Sequence, residues 1–503
     1  LLKRIAGDDV EYEMKEARDF QSDPAWESHD LGQPLPDSLH ACSVCLPTWQ
    51  SVVGYEEARD KVLRRLRAGY PRFFLSSPVR TLCEQAEANL AHKGERVLLF
   101  ATRRAAQRAQ RFVEKRHAAA SRIASYEGLQ ALAVGEDAYD SALLYWRYSG
   151  EIVSSRLAED TLNQARIDPD DEIVGFLARK FVCPKSHLFL YESGMAASFS
   201  LHGAVTALAP GKKTLQLDFP YVDVLKVQEN FGSGVVFLTE ADGEHFDEAL
   251  SRIRQGEFAA VFCEVPSNPL LSSVDLRRLF EAARQGRVPL IADDTVVSHH
   301  NVELLSHVDA VTTSLTKWIS GRGDVSAGSV RVNQQSQFAA SLVASLEESN
   351  QSHNRLYAKD AQVLKANAEG FPRRMKTVNR NGEAIADFLK EHTAVEQVWY
   401  PKFIKSDCYR ALKRKTGGYG GLMSFSLKNE KRAPKVYDAL KWNKGPGLGT
   451  EFSLACPYTL LAHYRELDWA AGCGVPASLI RLSVGIENTN TLLKSLKTAL
   501  EQA

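Results

Sequence analysis

The chain predicts an α/β fold: a mostly parallel central sheet covered by helices, with a smaller C-terminal α+β domain and an N-terminal extension. Three observations lead there. From about residue 150, short apolar runs recur at 188–191, 214–217, 235–238, 259–263, 289–292 and 310–313, as strands buried on both faces do. Amphipathic stretches such as 275–285 lie between some of them, and strands alternating with helices build parallel sheets. After about residue 371 the texture changes to a helix near 379–389, apolar runs at 395–400 and 421–427, and glycine-rich loops at 417–421 and 445–449. At 503 residues the chain is too long for one core. The predicted division is an extension and arm over 1–150, a large domain over 151–370 and a small domain over 371–503.

Each part has its own reason. Residues 1–40 are polar and acidic, with Pro34 and Pro36, and read as a loosely packed tail. The stretch 79–91 carries Val79, Leu82, Cys83, Ala86 and Leu90 on one helical face, and 96–100 reads as a short strand. The segment 103–122 is rich in arginine and reads as a solvated helix face rather than a nucleic-acid arm. Lys+Arg and Asp+Glu both number 62, a balance that argues against a polyanion-binding body. No apolar run is long enough to span a bilayer. Eight scattered cysteines, with one C-x-x-C at Cys42 and Cys45, read as reduced thiols of a cytoplasmic protein without structural zinc.

Several polar residues fall at the expected carboxyl ends of strands, where open α/β sheets bind ligands. Lys317 follows a strand that ends in Ser314 and Thr316, a hydroxyl-framed lysine of the kind a pyridoxal phosphate (PLP) enzyme attaches to its cofactor. Ser193-Gly194-Met195 opens a helix after a strand, which is either an anion cradle or an ordinary turn. Asp293 and Asp294 end a strand. Adjacent strand residues point oppositely, so one carboxylate can face a site while the other faces away or caps a helix. Asn268, between Pro266 and Pro269, offers an amide or forms an Asx turn. Tyr221 could stack on an aromatic ligand or be core. Arg481, inside an apolar strand, suits either a substrate carboxylate or an internal ion pair, perhaps with Glu487.

In that order along the chain, these residues resemble the Cys/Met-metabolism PLP enzymes of fold type I. The fungal branch is resembled specifically by Ser43-Val-Cys-Leu-Pro-Thr-Trp49, Gly69-Tyr-Pro-Arg-Phe-Phe74 and Ala455-Cys-Pro-Tyr-Thr-Leu-Leu-Ala-His-Tyr464. The resemblance implies pyridoxal 5'-phosphate as cofactor, bound covalently to Lys317, which also shuttles protons. It implies Asp293 on the ring nitrogen, Tyr221 stacked on the ring and acting in catalysis, and Asn268 near the ring oxygen and the substrate. Gly194, Met195, Ser314 and Thr316 would hold the phosphate, and Arg481 the substrate carboxylate. It further implies small amino-acid substrates and a homodimer or homotetramer with shared active sites, in which a Tyr-x-Arg element of a neighbouring subunit reaches the phosphate. That element is ambiguous in this chain. Tyr145-Trp-Arg147 has the spacing, and the fungal Arg-Tyr-Gly-Arg pattern falls on Arg147-Tyr148-Ser149-Gly150, with glycine in place of the final arginine. Arg147 and Tyr148 are therefore the expected contacts. Tyr70-Pro-Arg72 has the same local shape but lies far upstream and reads as an echo.

Two further departures bear on substrate: Gly447-Leu-Gly449 replaces the usual Ser-Leu-Gly, and Ser320-Gly-Arg-Gly-Asp-Val325 differs from the fungal Ser-Gly-Asp-Ser-Asn-Val. The implied reaction is γ-replacement on an O-acylhomoserine, with cysteine giving cystathionine. Alternatives are a carbon or amine nucleophile trapping the same β,γ-unsaturated intermediate, a C–S lyase, and an inactive scaffold.

Overall fold

A computed structural model describes residues 17–117, 120–167 and 171–503. Three sheets organise it. The first is antiparallel, in the order β1-β3-β2, from β1 (Glu95–Phe100), β2 (Arg122–Tyr126) and β3 (Leu129–Gly135). Glu127 and Gly128 join β2 to β3 at φ +46° and +71°, the left-handed pair that suits a two-residue hairpin. Helices α1 (Ser77–Leu90), α2 (Arg103–Arg116) and α3 (Tyr139–Ser149) pack with this sheet. The basic stretch lies mainly on α2, whose other face buries Ala105, Ala106, Ala109, Phe112 and Val113.

The second sheet is the central one. Its strands are β4 (Leu188–Tyr191), β5 (Thr214–Leu217), β6 (Val235–Leu238), β7 (Val261–Glu264), β8 (Leu290–Asp293), β9 (Ala310–Ser314) and β10 (Gly328–Val332). The order is β4-β10-β9-β8-β7-β5-β6. Strands β5 to β9 pair in parallel, and β10 runs antiparallel between β9 and β4. The α/β fold with a mostly parallel sheet is therefore as the sequence predicts, but β10 is an unforeseen strand. Its buried Arg331 disguises it as a loop, and that charge is matched by an ion pair with Asp294 on β8's far side. Helices α4 (Gly194–Leu208), α5 (Val222–Phe231) and α6 (Leu276–Gly286) cross over between strands. Asp275 starts α6 by accepting from the Arg278 N–H at 3.2 Å.

The third sheet lies beyond the long helix α7 (Phe371–Glu391). It has the order β11-β12-β15-β14-β13, from β11 (Val395–Trp399), β12 (Leu422–Leu427), β13 (Asn443–Lys444), β14 (Leu454–Pro457) and β15 (Ile480–Ser483).

The N-terminal segment differs from expectation. Residues 1–16 of the predicted loose tail lie outside the described residues, but 17–46 are strapped onto the third sheet. Phe20, Ala25 and Leu35 are buried. The Ala25 N–H donates to Asn443 Oδ1 (2.8 Å), Asn443 Nδ2 donates to the Phe20 carbonyl (2.9 Å), and the Leu46 N–H donates to the Lys444 carbonyl (3.0 Å). Backbone groups buried this way need partners, and the third sheet's edge provides them. Among the described residues, no helix is long and apolar enough to cross a membrane, and no group of three or more His, Cys, Asp or Glu side chains is placed to hold a metal.

Candidate active site

The ends of β4, β5, β7, β8 and β9 meet on one side of the central sheet, as parallel strands dictate. After β4, Ser193 caps α4: its Oγ accepts from the Ala196 N–H (3.0 Å) and donates to the Gly150 carbonyl (2.8 Å). The first-turn N–H groups of Gly194 and Met195 have no carbonyl above them in the helix. A Cβ on Gly194 would lie 2.7 Å from Ser314 Cβ and 2.9 Å from Ser314 Oγ, so only glycine lets the end of β9 come this close. Ser314 Oγ is buried with no hydrogen-bond partner. Together these groups form a concave set of donors lacking an acceptor, at the positive end of a helix.

Asp293 and Asp294 do point oppositely. Asp294 is buried against Arg331 and accepts from Thr313 Oγ1 (2.5 Å). Asp293 faces the site, where Thr312 Oγ1 and the Thr295 N–H each donate to it at 2.7 Å. Next to it across β7 and β8 stands Glu264, which accepts from the N–H groups of Tyr221 (2.7 Å) and Asn268 (3.1 Å). Burial pushes Glu264 up to about 8, reinforced by the Asp293 charge. Burial likewise raises Asp293 to about 6, against the pull of its Thr295 and Thr312 hydrogen bonds. Among the described residues, neither carboxylate has a cation as an ion-pair partner, and an added cation beside Asp293 would relieve both.

Tyr221 precedes α5. Its hydroxyl accepts from Arg72 Nη2 (2.5 Å), and Arg72 Nη1 donates to Asp223 Oδ2 (2.7 Å) and to the Arg147 carbonyl (2.5 Å). Arg147 Nη2 holds the other oxygen of Asp223 at 3.0 Å. Burial pushes the Asp223 carboxyl up, but Arg147 and Arg72 outweigh it and hold it below its usual value. Two guanidiniums on one carboxylate leave a net positive charge beside Tyr221.

Lys317 follows β9 through a turn, its N–H donating to the Ser314 carbonyl (3.4 Å). Its Nζ lies 4.5 Å from the centroid of the Tyr70 ring. Gly449, at φ +77°, backs the lysine: a Cβ there would lie 2.9 Å from Lys317 Cβ. Arg481 is buried, with Nη1 donating to Asn268 Oδ1 (3.2 Å) and Nη2 to the carbonyls of Pro446 (2.7 Å) and Gly447 (3.2 Å). Its guanidinium is 4.7 Å from the Tyr458 ring centroid. Glu487 bonds Ser453 instead, so among the described residues Arg481 has no carboxylate partner. The open alternative of an internal ion pair at Arg481 is thereby closed.

The contacts run in a circuit: Lys317 to Tyr70, Arg72 and Tyr221, then Glu264, Asn268 and Arg481, and back through the 446–449 loop to Lys317. Asp293, Ser314, Gly194 and Met195 line the same sheet end. Three expectations need correction. Thr316 commits its hydroxyl to Ala327, donating to the carbonyl (3.2 Å) and accepting from the N–H (2.9 Å), so no hydroxyl proton remains for a phosphate. Tyr148 touches Arg147 and stands near Lys226 and Glu229; no contact joins it to Lys317, Ser314 or Gly194 among the described residues. Tyr70-Pro71-Arg72 is not an echo, because both of its side chains join the circuit. Gly150 has a structural reason to be glycine. It is left-handed at φ +68°, and a Cβ would lie 2.3 Å from Ser193 Oγ. Glu264 was also missed, although an ionisable residue ending a buried strand signals it.

The family described as "Cys/Met metabolism PLP-dependent enzyme" matches residues 184–501, and "Fungal trans-sulfuration enzyme, N-terminal domain" matches 78–154. A cystathionine gamma-synthase of Neurospora crassa is 31% identical over 94% of this chain and 99% of its own. A cystathionine gamma-synthase-like enzyme of Amanita muscaria, iboG2, is 31% identical over 94% of this chain and 96% of its own. The crystal structure of cystathionine gamma synthase from Xanthomonas oryzae pv. oryzae in complex with cystathionine superposes with a TM-score of 0.55 at 25% identity, covering 63% of this chain and 81% of that one.

Proposed function

This chain belongs to the Cys/Met-metabolism PLP-dependent enzymes, and on that premise we propose that it replaces the γ-substituent of an O-acylhomoserine, with L-cysteine as nucleophile and cystathionine as product. The observation that carries the reading is the closed circuit of contacts joining Lys317 to Arg481, because it puts a proton-transfer amine and a carboxylate anchor on one site. Pyridoxal phosphate fits this site. The orphaned Ser314 hydroxyl and the open N-terminus of α4 suit its phosphate, and Asp293 lacks the cation that a protonated ring nitrogen would be.

When bound, the cofactor supplies an aldehyde for amines and an electron-withdrawing ring that stabilises negative charge on substrate carbon. The chain's residues do the rest. Arg481 offers a fork to the substrate α-carboxylate, and Asn268 orients that fork. Lys317 Nζ takes the Cα proton and returns one after the nucleophile has added at Cγ. The acyl group leaves as its carboxylate, so no oxidant or reductant is needed. Tyr221, clamped by Arg72 and Glu264, fixes one wall. A dimer or tetramer of the chain is part of this reading.

Gly447 favours a second reading, with a carbon or amine nucleophile in place of cysteine. It lacks a side chain beside the carbonyls that hold Arg481, and the Ser43 hydroxyl occupies that space, accepting from the Gly447 N–H at 3.3 Å. The test is to incubate the PLP-loaded protein with O-acetylhomoserine, with and without L-cysteine, and to identify products by mass. Cystathionine formed only when both are present supports the main reading. Acetate and 2-oxobutanoate with no cystathionine would move the assignment to the second, and no turnover would refute both.

A further inference from the structure

We infer that Tyr70 and Arg72, both carried by the chain's own N-terminal region, are positioning residues of this active site, the Tyr70 ring holding the Lys317 amine and Arg72 locking Tyr221, so that this wall of the site is built within one chain. The inference rests on the proposed function and names residues it does not need.

Three observations support it. Lys317 Nζ lies 4.5 Å from the Tyr70 ring centroid, within reach of the ring's negative face. Arg72 is buried and shares its guanidinium between Tyr221 (2.5 Å) and Asp223 (2.7 Å), while lying 5.4 Å from the Tyr70 centroid. One arginine thus braces both aromatic rings. Pro71 between them fixes the backbone and puts the two side chains on a short, stiff bridge. The conformation is anchored from behind as well, because the Trp146 indole donates to the Pro71 carbonyl (3.2 Å) and the Phe74 N–H to the Tyr70 carbonyl (3.0 Å). A flexible lysine left without a partner samples many rotamers, and an aromatic face that holds Nζ removes that cost before the cofactor arrives.

The geometry makes the ring, not the hydroxyl, the working part of Tyr70. Two measurements test this. In the first, apoprotein is mixed with pyridoxal phosphate and capture is followed by visible absorbance. Tyr70→Leu should capture about tenfold more slowly than the unmutated protein, and Tyr70→Phe, which keeps the ring face, should recover most of that loss. Equal rates for Leu and the unmutated protein, or for Leu and Phe, would overturn the role of the ring. Failure of the unmutated protein to capture cofactor would instead sink the proposed function beneath it.

In the second, differently tagged Lys317→Ala and Tyr70→Leu chains are co-expressed, and hybrids are isolated through both tags. A wall built within one chain leaves the hybrid no more active than the Tyr70→Leu protein, and failure to recover any hybrid agrees with a self-contained site. Activity restored towards one unmutated site per hybrid would show that Tyr70 acts across subunits and would refute the inference. Melting temperatures of the variants separate unfolding from loss of positioning.

Discussion

Glu264 ties together Tyr221, Asn268 and Asp293, and its burial has a measurable consequence. Its folded pKa of about 8 lies above the usual carboxyl value, so between those two pH values the native state binds more protons than the unfolded chain. Stability contributed by the protonated form is present below that window and lost as pH rises through it. Apoprotein carrying Glu264→Gln should therefore lose less melting temperature between pH 6 and 9 than the unmutated apoprotein. Parallel pH curves for the two would contradict the assignment. At Arg481, replacement by lysine removes the fork that would meet a carboxylate. It should raise KM for the acylhomoserine about tenfold to a hundredfold, with a smaller change in kcat. A fall in kcat at constant KM would mean that Arg481 does not bind the ground-state substrate. Lys317, Asp293 and Arg481 were legible in the sequence because each is an ionisable side chain at or in an apolar strand. Tyr70 and Arg72 were not, since nothing local to them reveals that Tyr221, Asp223 and Lys317 fold back against them from far along the chain.

The elements that could be read early are those whose pattern has a single cause. Strands β5, β7, β8 and β9 are buried on both faces and appear as unbroken apolar runs. The β2–β3 hairpin was hidden because β2 is only half-buried and carries mixed residues, and the positive φ of Glu127 has no sequence signature. The N-terminal strap was hidden for a related reason: its polar composition signals disorder, yet its backbone finds partners on the third sheet. Asn443 is the main fastener, bonding the Ala25 N–H and the carbonyls of Phe20 and Ser453. Asn443→Ala should cost about 2–3 kcal/mol of stability by stranding those buried groups, and should speed proteolytic cleavage within residues 17–46. An unchanged cleavage rate would show that the strap is held by other contacts.

At the scale of the whole molecule, the central sheet presents its strand ends, the third sheet brings Arg481, and the N-terminal segment closes the remaining side through Tyr70 and Ser43. Similarity to cystathionine gamma-synthases spans nearly the full chain, so this three-part arrangement belongs to relatives of comparable extent. The central claim is that these parts converge on one lysine that carries the cofactor. The most direct measurement is to load the protein with pyridoxal phosphate, reduce it with borohydride, digest it and locate the phosphopyridoxyl group by mass spectrometry. A single modified peptide with the group on Lys317 is the expected result. Modification centred on another lysine, or none at stoichiometric cofactor, would contradict the account.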